Sequence, residues 1–329
     1  MIHCIPLLTM MLLLTISCSS GSETESAQVP TLVPTATVAL PTATGTPGPT
    51  LDLGNLENKQ ITAGHHDWEN IEFEVLSEHP NLDCLNKTMD IFIDVFGVWL
   101  VSTKSAPENY VLHTANVLAE FIDNDSDGIP DDVDVLKHLV EANYVVPVWT
   151  TSQRSDFWKK ALGTYCEDNI SMAASMYYDE DQWALGGIKK QGTWDTNLEE
   201  VWHVVTKGWS GTYPAAFSVE QPSLLTDAMD VARGGYFEKV PSKYPPEAWY
   251  KYYDESCEYE CQASEYIYWA LMANIGALDP ELTNKCTDSA DEWNICTADD
   301  LGYKDILISE LLNDMGFKLP TRIPDGSYR

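Results

Sequence analysis

Asn197 to Val205 reads NLEEVWHVV. On a helix, Glu199 and His203 stand four positions apart and project from one face, one turn above the other. A carboxylate and an imidazole at that spacing can ligate one metal ion, and Glu200, about 100° around the helix, could act as a base on a water held beside it. A candidate third ligand is Glu265 in ASEYIYWALMANIG, 62 positions after His203. A charged group on so apolar a segment is expensive to bury alone and needs a partner.

The EExxH register resembles the HExxH helix of zinc metallopeptidases of the zincin class. That resemblance implies Glu199 and His203 as metal ligands and Glu200 as general base. In the branch that takes a glutamate from a later helix, it implies Glu265 as the third ligand. The first histidine of the motif is replaced here by Glu199. Two carboxylates and one imidazole make a more anionic site, which lowers the Lewis acidity of zinc and suits iron or manganese at least as well. Two other accounts fit the same residues. Glu200 and His203 form an ExxH, half of a carboxylate-bridged di-iron site, although no second ExxH is present. Alternatively Glu199 and Glu200 only complement the dipole of a helix capped by Asp195 or Asn197, and His203 is a core histidine.

A second constellation lies in FIDNDSDGIPDDVDV. Counting from Asp123, carboxylates fall at loop positions one (Asp123), three (Asp125), five (Asp127), nine (Asp131) and twelve (Asp134), with Gly128 at six. A hard dication takes six to eight oxygens, alternate positions aim inward, and glycine at six allows the sharp turn. Residues 123–134 therefore resemble an EF-hand calcium loop, and also the DxDxDGxxD repeats of dockerins and thrombospondin type 3 segments. Pro130 stands where a sister loop would pair, and Asp134 replaces the usual bidentate glutamate. The resemblance implies bound Ca2+ acting as a structural clip and not as a sensor.

These residues need helices to carry them. Amphipathic patterning predicts helices over residues 84–100, 109–122, 132–142, 197–206, 223–233, 263–275 and 304–315, with a short strand or two near residues 164–187. The expected fold is mainly α, or α+β with a small sheet. Ahead of it, residues 1–17 read as a lipoprotein signal peptide. LTISC resembles a bacterial lipobox, which implies lipidation of Cys18. Residues 18–50, rich in Pro, Thr and Ser, read as a disordered spacer that cannot bury enough surface to fold. Residues 51–329 form one globular domain. The six cysteines left, Cys84, Cys166, Cys257, Cys261, Cys286 and Cys296, suit up to three disulfides in an oxidising compartment, against a rival zinc reading of the CxxxC pair.

The chain carries 19 Lys and Arg against 51 Asp and Glu, a formal charge of −32. Phosphates would be repelled, so nucleic acid is excluded as a partner. The aromatic run PPEAWYKYYDESCEYECQASEYIYWAL offers either core packing or the lining of a peptide or glycan cleft. The order of calcium-like loop, EExxH helix and CxxxC segment is similar to that of uncharacterised exported proteins, a resemblance that brings no activity with it. Together these features predict an exported protein, lipid-anchored on the outer face of the cell envelope. It binds Ca2+ and carries a zincin-like metallohydrolase centre for Zn2+, or Fe or Mn. The alternative is a non-enzymatic calcium-dependent binding or adhesion module.

Overall fold

The computed structural model describes residues 73–329. The lipidation position Cys18, the signal peptide, the spacer and the boundary at residue 51 lie outside the described residues. Five strands form one sheet in sequence order: β1 (Val75–Leu76), β2 (Ile91–Val95), β3 (Val98–Ser102), β4 (Val145–Trp149) and β5 (Met176–Tyr177). The first three pair antiparallel, and β3, β4 and β5 are parallel. Between β3 and β4 run α1 (Glu108–Ile122) and α2 (Val133–Glu141), and between β4 and β5 run α3 (Thr151–Ala161) and α4 (Tyr165–Asn169). Then follow α5 (Ile188–Gln191), α6 (Asn197–Thr212), α7 (Pro214–Phe217), α8 (Leu224–Ala232), α9 (Tyr259–Asn274), α10 (Lys285–Asp288), α11 (Ala298–Lys304) and α12 (Ile306–Leu312). The domain is mainly helical with a small mixed sheet.

The helix expected over residues 84–100 is instead mostly the β2–β3 hairpin. IFIDV and VWLVS are β-branched and aromatic, and two residues of positive φ, Phe96 and Gly97, close the turn. Such a two-residue turn fits the right-handed twist of its strands, so local pairing overrides helical patterning. VVPVW, not assigned from sequence, is the fully buried β4. The helix expected over 304–315 is present as the shorter α12, preceded by α11, which was not assigned from sequence. The other predicted helices are present with shifted ends.

Successive residues of the strands face opposite ways and enter two cores. Ile93, Leu100, Val146 and Val148 join a large core with α1, α6, α8 and α9. Phe92, Val101, Val145 and Trp149 face a smaller core with Phe157 of α3 and Cys166 of α4. All six described cysteines are bridged, as Cys84–Cys166, Cys257–Cys261 and Cys286–Cys296. The CxxxC pair is thus a disulfide and not a zinc site.

Helix α6 is held at several places. Gly208 and Gly211 face α2 so closely that an added Cβ would meet Val135 at 2.8 Å and the His138 ring at 2.1 Å. At its N-terminal end, the buried Asp195 accepts from the Asn197 backbone N–H and side-chain amide, and pairs with His113 of α1. The Thr114 hydroxyl donates to Asn197 Oδ1 at 2.6 Å. The first turn of α6, which carries Glu199 and Glu200, is therefore fixed against α1.

Candidate metal centre

Glu199, Glu200 and His203 project from α6, and Glu265 from the facing α9. Ligand atoms of Glu199, His203 and Glu265 all lie within 4.8 Å of one another. His203 Nε2 is 3.3 Å from Glu265 Oε1, with the two side chains only 12% and 13% exposed. Tetrahedral ligands about 2.1 Å from a metal are about 3.4 Å apart, so this separation needs little adjustment to receive an ion. The donor set, two carboxylates and one imidazole, fits Zn2+, Fe2+ or Mn2+.

The electrostatics follow from burial of like charges. Burial, then the Glu265 charge, raises the Glu199 carboxyl above its ordinary value, against the pull of His203 and Lys285. Burial likewise pushes Glu200 up to about 7, despite the opposing influence of His203. Burial alone would lower His203, but Glu265, Glu200 and Glu199 together raise it to about 9. Without an ion, an imidazolium supplies the positive charge that the carboxylates require. The His203 Nδ1 is buried with no partner among the described residues, so the ring is oriented by packing and by its Nε2 contact with Glu265. That is a departure from the usual metal-bound histidine, whose second nitrogen has a hydrogen-bond partner.

Around these groups stand Tyr268, Tyr252, Lys285 and Glu292. The buried Tyr268 hydroxyl faces Glu199 without meeting hydrogen-bond geometry. Burial, then Glu265, pushes the Tyr252 phenol up, and burial, then Glu265, raises Glu292 to about 7. The two tyrosines fall within or beside the aromatic run noticed in the sequence. Lys285 and Glu292 carried no local signal, because only the fold brings them near α6.

Two hollows open on the centre. A cleft of about 620 Å³ is lined by His203 and Glu265 with Lys207, Glu258 and Ser264. A smaller pocket of about 230 Å³ contains Glu200. Ala173 lines both, so the ligand residues and Glu200 open to adjoining spaces.

The acidic loop lies between α1 and α2 as expected. Carboxylate oxygens of Asp123, Asp125 and Asp131 come within 4.8 Å of one another, but Asp127 and Asp134 are not in that group. Gly128, at φ +85°, donates its N–H to Asp123 Oδ2 at 2.8 Å. The Asp127 carboxylate accepts from Ile129 N–H, while Asp134 sits in the first turn of α2, whose cap is Asp132. The C-terminal tail lies against this loop. The Tyr328 hydroxyl donates to Asp123, and the backbone N–H groups of Asp325, Gly326 and Ser327 donate to the Glu120 carboxylate.

No protein-family model, curated protein or solved structure matches the chain.

Proposed function

We propose that the protein is an exported, lipid-anchored metallohydrolase of peptide bonds. Its catalytic metal is held by Glu199, His203 and Glu265, and a separate Ca2+ sits at Asp123, Asp125 and Asp131, with Asp127 and Asp134 as further oxygen donors. The observation that carries this reading is the convergence of Glu199, His203 and Glu265 from two helices, with Glu200 in the adjoining pocket. Burying two carboxylates together is unfavourable unless a cation offsets them.

When bound, the metal supplies Lewis acidity and a water of lowered pKa. Glu200 then takes a proton from a water attacking the substrate carbonyl and delivers it to the departing nitrogen. One C–O bond forms and one C–N bond breaks. A carboxyl whose pKa lies near 7 suits both transfers, since it accepts and returns a proton at similar free energy. The cleft on the other side of Ala173 gives the substrate chain room to continue.

The test is peptide hydrolysis by the zinc-loaded chain. Glu200→Gln should abolish turnover while one metal per chain is retained, and His203→Ala should lose metal and turnover together. Turnover unchanged in Glu200→Gln would remove its assigned role. A chain that binds calcium but no transition metal would favour the non-enzymatic binding module, in which protonated His203 and Lys285 offset the glutamates.

A further inference from the structure

The pocket that contains Glu200 has aromatic and apolar walls, Trp149, Trp158, Met172 and Tyr177, and a single cation, Arg154. Arg154 and Trp158 are one turn apart on α3 and share a face. The Arg154 guanidinium has no ion pair and no hydrogen bond among the described residues. Arg233, by contrast, is engaged by Asp230, Gln262 and the Phe237 carbonyl. Arg154 is exposed at the pocket mouth, so its guanidinium is hydrated and open to an incoming anion. Glu200 lines the same pocket but makes no ion pair with Arg154.

The main chain beside the pocket is also unoccupied. Ser171 and Met176 are bridged to Tyr144 and Val148, but residues 172–175 between them make no backbone hydrogen bond among the described residues. The strand they pass carries Pro147, which has no N–H to offer a neighbour. Peptide groups lining a pocket without partners can pair with an incoming extended chain.

We propose that this pocket is the subsite for the free C-terminal residue of a peptide with an aromatic or branched apolar side chain. The α-carboxylate pairs with Arg154, and the side chain lies among Trp149, Trp158, Met172 and Tyr177. With the carboxylate at the Arg154 end, the peptide group before it faces Glu200 at the other. An acidic side chain fits less well, since it brings no apolar body to the aromatic walls. The volume, about 230 Å³, suits one amino-acid residue and not a longer segment.

This inference rests on the hydrolytic reading for what becomes of the peptide, but binding can be measured without it. The chain, stripped of metal with EDTA so that no ion can capture a carboxylate, is titrated with N-acetyl-phenylalanine and with its C-terminal amide, following tryptophan fluorescence. The acid should bind about tenfold more tightly than the amide, a difference of about 1.4 kcal/mol. Arg154→Ala should remove that preference without changing amide binding, and Arg154→Lys should restore part of it. Arg154 is exposed, so its replacement leaves the fold intact, checked by an unchanged Tm. Equal binding of acid and amide, no binding of either, or an unchanged preference in Arg154→Ala would overturn the proposal. Preference for the acid in a protein that hydrolyses nothing would keep the subsite and remove the hydrolytic reading. Equal hydrolysis of peptide acids and amides would do the reverse.

Discussion

On the proposed reading, zinc would have to compete with a proton at His203. In the ion-free protein the imidazole lies 3.3 Å from Glu265, and three carboxylates hold its pKa at about 9 in spite of burial. A metal on Nε2 requires that proton to leave. At pH 7 the group is about two units below its pKa, which costs about 2.7 kcal/mol, or roughly a hundredfold in apparent affinity. Calorimetric titration of zinc into the EDTA-treated chain, in chelator-buffered solutions from pH 6.5 to 9.5, reads this directly. The apparent Kd should fall about tenfold per pH unit up to about pH 9 and then level off. Runs in buffers of different ionisation enthalpy should show release of at least one proton near pH 7. The same shift has a stability consequence of determinate sign. His203 has a folded pKa above its unfolded value of 6.5, so its stabilising contribution is complete below pH 6.5 and is lost as pH rises through about 9. The Tm of the metal-free protein should fall across that window, and His203→Gln should flatten the fall. Zinc affinity independent of pH, with no proton released, would refute the reasoning.

Calcium should raise the Tm through the acidic loop, by the equivalent of about 2.7 kcal/mol at a hundredfold excess over its Kd. Asp125→Ala combined with Asp127→Ala should abolish that shift, and an unchanged response would exclude the loop as the site. The Cys84–Cys166 bridge closes an 82-residue separation, for which chain entropy gives about 4.5 kcal/mol of stabilisation. Replacing both cysteines with serine should lower denaturant stability by up to that amount, and a loss below about 1 kcal/mol would contradict the estimate. Cys18→Ser should move the protein from the membrane to the soluble fraction of its host, because stable anchoring takes more than one weak signal. Retention in the membrane would exclude the lipid anchor.

The centre was more legible in the sequence than the scaffold that holds it. Glu199 and His203 announce themselves by helical spacing, and Glu265 by being a charge amid apolar and aromatic residues that its partners would have to offset. Their meeting depends on α6 packing on α9, and no local pattern encodes that contact. IFIDVFGVWLVS satisfies a loose helical count, while the feature that makes it a hairpin is its two-residue turn at Phe96 and Gly97. Asp305, which separates α11 from α12, is held by bonds from Trp249 and Tyr266, residues distant in sequence that no local pattern connects to it. Loop counting makes Asp134 a ligand, while the helix predicted over residues 132–142 already contains it, and in the structure α2 begins there with Asp132 as its cap. Arg154 gave no signal either, since an arginine on a polar helix looks like any solvated charge until the pocket forms beside it.

The proposed centre is a metal ion shared by Glu199, His203 and Glu265. Metal content of the purified chain, measured by mass spectrometry after zinc loading and exhaustive dialysis, tests it most directly. About one tightly held zinc per chain is expected in the wild type, with almost none in His203→Ala or Glu265→Gln, both folded by circular dichroism. A folded wild-type chain that retains no zinc, iron or manganese, or variants that retain as much as the wild type, would contradict it.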